Sequence, residues 1–323
     1  VEVFRVRKRL WWALGFASGG WGIALAARLC APFSRHLTGL LRLYVLPAMG
    51  RAFARAPLPV GELAAVLLLA FAAYSLFGAL RQRRMGRWAG GLALALSFLY
   101  FCYAVLWMPL YALPRAEAPE YDDGALVALI EDLTGQVNAL AGQFPAPTPA
   151  ETLREANALM GGGGKLARFP EWMRALSIAG IYLPWTAEAL LNPGEPAWTL
   201  PFTACHELAH ARGVAGELEA NLVAYYACRS LDSSAFAHSA NLCMLRYALG
   251  ELYLRDESLW QAACQKLSAA ARREMASIHG FAAPQSAPLG DILLRLSGDE
   301  RGQSSYSGVV AALIAAEGKT LQP

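Results

Sequence analysis

The chain has 323 residues, enough for one large domain or two ordinary ones, and it is 56% hydrophobic with only 16% charged residues and a mean hydropathy of +0.32. A wholly water-soluble protein of this composition is excluded, and part of the chain belongs in a membrane. The net charge of +3 conceals 13 basic against 2 acidic residues over 1–108 and 15 against 23 over 109–323; an acidic second part without basic clusters excludes nucleic-acid binding.

Arg5, Arg7, Lys8 and Arg9 precede Leu10–Leu29, a 20-residue apolar stretch broken only by Arg28. At about 1.5 Å per residue it reaches about 30 Å, the thickness of a bilayer core. It is too long for a signal-peptide core, contains Trp11, Trp12 and Trp21, and is followed by no small-x-small cleavage site, so it reads as an uncleaved span. Residues 30–59 carry Arg35, Arg42, Arg51 and Arg55 among Leu, Tyr and Phe and close on Pro57 and Pro59. They fit either an amphipathic helix on the membrane surface or a connecting loop. Val60–Leu80 and Trp88–Met108 read as second and third spans, separated by the cationic run Arg81–Arg87. Three crossings put the N-terminus and that run on one side, cytoplasmic by the positive-inside rule, and everything after Tyr111 outside the cell. The expected organisation is a multi-pass membrane region over 1–111 (spans 10–29, 60–80 and 88–108) and a water-facing domain over 112–323.

In the second part Leu126, Leu129, Ile130, Leu133, Val137 and Leu140 predict a helix over 121–144, stopped by Pro145, Pro147 and Pro149. A second helix is predicted over 151–160. The glycines 161–164 before Lys165 are not a phosphate loop, because Leu166 stands where Ser or Thr is required; a mobile loop is expected. A short helix over 170–177 precedes two predicted strands, 178–185 and 187–192, bounded by Gly, Pro and Asn. Those strands would offer an edge to an extended peptide or form a loop cover on the following helix. Further helices are predicted over 234–254, 258–278, 290–296 and 305–316. Of six cysteines, Cys30 and Cys102 read as small hydrophobes and Cys205 as core, while a disulfide among Cys228, Cys243 and Cys264 is open to a domain outside the cell.

The chemistry concentrates at His206-Glu207-Leu208-Ala209-His210. On a helix this spacing sets two imidazoles one turn apart on one face, with a glutamate where a metal-bound water would sit. The expected cofactor is Zn2+, with His206 and His210 as ligands and Glu207 as general base. Gly213 permits a reversal, and a helix starting near Gly216 returns Glu217 or Glu219 towards the histidines. These lie about 200° apart, so only one can face the metal. Glu217 is the expected ligand because Ala220 and Asn221 share its face, Asn221 as a hydrogen-bonding support for an imidazole; Glu219 is the reserve. His238, Tyr247 and Tyr306 are candidate donors to a developing oxyanion.

The run Gly180-Ile181-Tyr182-Leu183-Pro184-Trp185-Thr186, then Glu188-Ala189 and Asn192, then Leu200 to His210, resembles a family of bacterial membrane proteins catalogued only as the domain of unknown function 3810. The apolar start, Glu217 to Asn221 and Ser305-Tyr306 also have counterparts, so the resemblance covers nearly the whole chain. It implies zinc-peptidase chemistry related to the gluzincins. The Glu-x-x-Ala-Asn spacing is similar to the third-ligand segment of other His-Glu-x-x-His peptidases, which implies Glu217 as ligand. His238 departs from the pattern, standing where a tyrosine-like position is expected.

The expected fold class is mainly α: N-terminal transmembrane helices and a mostly helical, zincin-like α+β catalytic domain with a small β-sheet. The expected function is that of a membrane-anchored zinc metallopeptidase acting on peptides or proteins at the cell envelope. Its partners would be that substrate and the lipid bilayer. An intramembrane protease fits less well, because no 20-residue apolar run surrounds the motif. A non-catalytic zinc-binding membrane protein, serving structure or partner binding, leaves Glu207 without a purpose.

Overall fold

The computed structural model describes residues 2–113, 118–278 and 304–320. It is mainly helical with one small sheet, and the chain divides into two compact units. The first comprises Val1–Leu113 with two short later segments, Leu183–Glu188 and Ala211–Gly213. The second comprises Pro114–Tyr182, Ala189–His210 and Val214–Pro323.

In the first unit the apolar runs form α1 (Glu2–Leu29), α4 (Val60–Arg81) and α5 (Met85–Leu106), with α2 (Ala31–Leu40), a π-helical turn (Leu41–Val45) and α3 (Leu46–Ala54) between the first two. Three segments, Val6–Leu29, Val60–Arg81 and Met85–Ala112, are long and apolar enough to cross a membrane. The 22 residues of α4 extend about 33 Å, and Leu67, Leu69, Phe71 and Tyr74 point outward along it, the arrangement of a helix whose surroundings are apolar. Phe16 meets Phe98 edge-on with ring centres 5.2 Å apart, which packs α1 along α5. A Cβ on Gly20 would stand 3.2 Å from the Phe101 Cα, so a small residue sets this approach. The Glu188 carboxylate accepts from the backbone N–H groups of Val60 (2.9 Å) and Gly61 (2.6 Å), satisfying the open start of α4. The Trp185 indole donates to Leu99 O at 3.1 Å. Residues 30–59, open between helix and loop in the sequence, are largely helical.

In the second unit α6 (Asp123–Leu140) begins at an Asp122 cap, whose carboxylate accepts from Ala125 N at 2.7 Å, and buries Leu126, Leu129, Ile130, Leu133 and Val137 as their spacing requires. α7 (Pro149–Met160) starts with a capping box of Thr148 and Glu151. The glycines that follow are not the loose loop expected. Gly161, Gly162 and Gly163 all take positive φ, and the chain then enters β1 (Gly164–Leu166), parallel to β3 (Glu188–Leu191) with Gly164 opposite Ala189. The carboxamide of Asn157 fixes the strand's start by bonding both Gly164 N (2.8 Å) and Gly164 O (3.0 Å). After α8 (Pro170–Ala175), β2 (Gly180–Leu183) completes the sheet in the order β1-β3-β2.

α9 (Leu200–Ala211), α10 (Glu217–Ser230) and α11 (Ser234–Arg255) follow, then α12 (Glu257–Gln265), α13 (Ala269–Ala276) and α14 (Ser304–Thr320). The helix expected over 258–278 is two helices, because Ser268 starts a new one by accepting from Ala271 N at 3.1 Å. α11 buries residues on every side, including Phe236, Ser239, Leu242, Leu245 and Leu249. Ser239 Oγ accepts from Phe202 N at 3.1 Å, an otherwise orphan donor in the first turn of α9. The cysteines are free thiols. The helix expected over 290–296 lies outside the described residues.

Candidate functional site

The motif occupies the second half of α9, where Glu207, Leu208, Ala209 and His210 are all buried. Past Ala211 the chain reverses through Gly213 (φ +80°), Val214 N donating to Ala209 O at 3.1 Å. α10 then opens on Glu217. A Cβ on Gly213 would lie 2.6 Å from the Arg42 Cγ, so both backbone conformation and space require glycine there.

This reversal brings His206, His210 and Glu217 together, their ligand-type atoms all within 4.8 Å of one another and able to hold a metal ion. The two Nε2 atoms are 3.1 Å apart; Glu217 Oε2 lies 3.2 Å from His206 Nε2 and Oε1 lies 3.6 Å from His210 Nε2. His210 Nδ1 is 2.6 Å from Val214 O. A carbonyl only accepts, so Nδ1 carries a proton and Nε2 is the ring atom that faces the cluster. Glu219 is outside this cluster.

Burial pulls the His206 pKa down, but the hydrogen bond and charge of Glu217, the charge of Glu207 and the neighbouring Asn221 outweigh it, and the net direction is up. Asn221 is buried on the face of α10 that carries Glu217. The Asn221 contribution to that shift is a side-chain hydrogen bond with His206, although His206 Nδ1 and Asn221 Nδ2 have no partner at full bonding geometry among the described residues. Glu207 stands apart from the ligand-type triad. Burial, opposed by His206 and reinforced by Glu217, pushes its pKa up to about 8.

Two neighbours were not singled out by residue chemistry. A Cβ on Gly180, at the start of β2, would lie 2.5 Å from Glu207 Cγ and 2.8 Å from its Oε1, so this glycine keeps the carboxylate's side of the strand clear. Two residues on, the buried Tyr182 ring lies 6.5 Å from the His210 ring. The one available signal was the Gly-Ile-Tyr run, which points to a close backbone approach only once β2 is known to face α9.

The oxyanion candidates separate. Burial raises the Tyr247 phenol pKa, with Arg246 opposing and the charges of Cys243 and Glu217 adding, so this tyrosine is within electrostatic reach of the cluster. His238 is fully buried elsewhere, its Nε2 2.7 Å from Glu274 Oε2 and its ring edge-on to Trp198 and Phe144. Tyr306 falls in the first turn of α14, and its side chain lies outside the described residues.

No curated protein and no solved structure matches the chain. The family model described as "Protein of unknown function (DUF3810)" matches residues 41–314, a range that takes in the second and third apolar helices, the sheet, the histidine cluster and the helices behind it, and the chain therefore belongs to that family.

Proposed function

We propose that this chain is a zinc metallopeptidase held in the membrane by α1, α4 and α5. One observation carries the reading. Three ligand atoms around a tetrahedral zinc, at bonds of about 2.0–2.1 Å, stand about 3.3 Å apart. Here the two Nε2 atoms are 3.1 Å apart, Glu217 Oε2 is 3.2 Å from His206 Nε2, and one ligand-type atom from each of the three residues lies within 4.8 Å of the others. The donor set of two imidazoles and one carboxylate is that of a catalytic zinc with an open fourth position.

Zinc bound there would polarise a substrate carbonyl and lower the pKa of a water nucleophile. His206, His210 and Glu217 would hold the ion, and the Val214 carbonyl orients His210 through Nδ1. Glu207, buried beside the cluster, would take the proton of the attacking water and return it to the leaving amine. Gly180 lets the Glu207 side chain lie close against the start of β2. The substrate class in this reading is a peptide or protein at the cell envelope, supported by the cationic N-terminus and Arg81–Arg87 run and opposed by the four arginines of residues 30–59.

The deciding experiment is Glu207→Gln beside the wild type, with metal content and peptide hydrolysis measured together. Near-stoichiometric zinc in both, with hydrolysis lost only in the variant, is expected. Equal turnover in the two removes Glu207 as base, and a metal-free wild type removes the zinc reading. A compartment-sensitive reporter fused at the C-terminus tests the orientation, and cytoplasmic signal overturns it.

A further inference from the structure

The segment between the first two apolar helices buries two hydroxyl residues beside two leucines and carries large apolar side chains on its outer face. Its inward positions are Ser34, Thr38, Leu41 and Leu46, each 3% exposed or less. The Thr38 hydroxyl is satisfied internally, donating to Ser34 O at 2.8 Å. Phe33, Leu40, Leu43 and Tyr44 point outward, the last two 70% and 66% exposed. Phe33, Leu37, Leu40 and Tyr44 recur at i, i+4, i+7 and i+11, one stripe of a helix. A helix facing water puts hydroxyls out and large apolar groups in; α2 instead buries Ser34 and Thr38 and exposes Phe33 and Leu40.

Charge and connectivity say what covers the stripe. From Cys30 to Pro59 there are four arginines and no acidic residue. Arg35, Arg51 and Arg55 are exposed, whereas the Arg42 stem packs on Gly213 and its Nε donates to Arg212 O at 3.4 Å. The segment leaves the C-terminal end of α1 and enters the N-terminal end of α4. If both helices cross a bilayer, its two ends are fixed at one surface of that bilayer.

We infer that residues 31–54 form an arm lying in the headgroup layer of a membrane that contains anionic lipid. Phe33, Leu40, Leu43 and Tyr44 enter the acyl boundary, and Arg35, Arg51 and Arg55 meet lipid phosphates. The inference rests on the reading of α1, α4 and α5 as membrane spans, and its test separates the two.

The full chain, with Cys30→Ser, Cys102→Ala and Cys264→Ser, is reconstituted in phosphatidylglycerol-containing vesicles, and a polar maleimide is admitted to both faces by freeze–thaw. Single cysteines report at Leu40 and Tyr44 in the arm, at Leu69 on α4, and at Glu131, an exposed residue of α6. Glu131→Cys labels fast and Leu69→Cys does not. Leu40→Cys and Tyr44→Cys label roughly tenfold or more slowly than Glu131→Cys. Replacing Arg35, Arg51 and Arg55 by Gln, or phosphatidylglycerol by phosphatidylcholine, restores part of the arm's labelling. Fast labelling at Leu69 defeats the span reading itself. Protection at Leu69 with arm positions labelling as fast as Glu131 overturns the arm, as does arm protection that ignores lipid charge and follows protein concentration, the sign of a second copy covering it.

Discussion

Two places in the second unit bring buried histidine to glutamate, and they leave the partners in different states. At His238 the carboxylate is fully engaged: Nε2 meets Glu274 Oε2 at 2.7 Å, the other carboxylate oxygen takes the Gly142 N–H at 3.0 Å, and two aromatic rings lie edge-on to an imidazole whose Nδ1 has no hydrogen-bond partner among the described residues. At His206 and His210, two Nε2 atoms and a carboxylate converge within 3.1 to 3.6 Å. Three acceptor-rich groups then share a space in which only a cation or shared protons reconcile them. Proximity of histidine to glutamate is therefore no sign of a site; a surplus of converging lone pairs is one.

The sharpest break in the comparison comes from removing one carboxylate at each place. Glu217→Ala should abolish stoichiometric zinc binding while Glu219→Ala keeps it, read by metal analysis after gel filtration; retained zinc in Glu217→Ala would transfer the ligand role elsewhere. Glu274→Ala should do the opposite, leaving metal content intact and lowering unfolding free energy by roughly 1–3 kcal/mol, the cost of leaving buried hydrogen-bonding groups without their partner. An unchanged denaturation midpoint would show that the His238 pair is dispensable. Gly180→Ala should bind zinc normally and lose most hydrolysis, because its methyl collides with Glu207 rather than with a ligand. Turnover at the wild-type rate would mean that Glu207 moves aside freely. The smallest effect is expected at Asn221→Ala, about 10–100-fold in metal affinity, measured by competition with a chelator. No change would confine Asn221 to packing.

Features encoded within one or two helical turns were legible in the sequence. The three apolar runs declare themselves by length, the α9 motif by an i, i+4 spacing, and Glu217 by a glycine reversal followed by one helix face. Features made by distant partners were not. Gly161–Gly163 looked like a flexible run, and only the Asn157 carboxamide and the pairing of Gly164 with Ala189 make a strand start there. The partner of His238 is 36 residues away, and no local pattern marks Glu274. Val214 contributes a backbone oxygen, which leaves no trace in side-chain identity.

Gly180 yields a criterion for reading other sequences. Its missing side chain makes room for the Glu207 side chain, which supplies the three atoms nearest to where a Cβ would stand. A chain that keeps both histidines and both glutamates but carries alanine or anything larger at this position is then expected to load with metal and stay inert. The motif alone would enrol such a chain among working hydrolases; one absent methyl group, some 26 residues upstream of His206 by position, tells it apart.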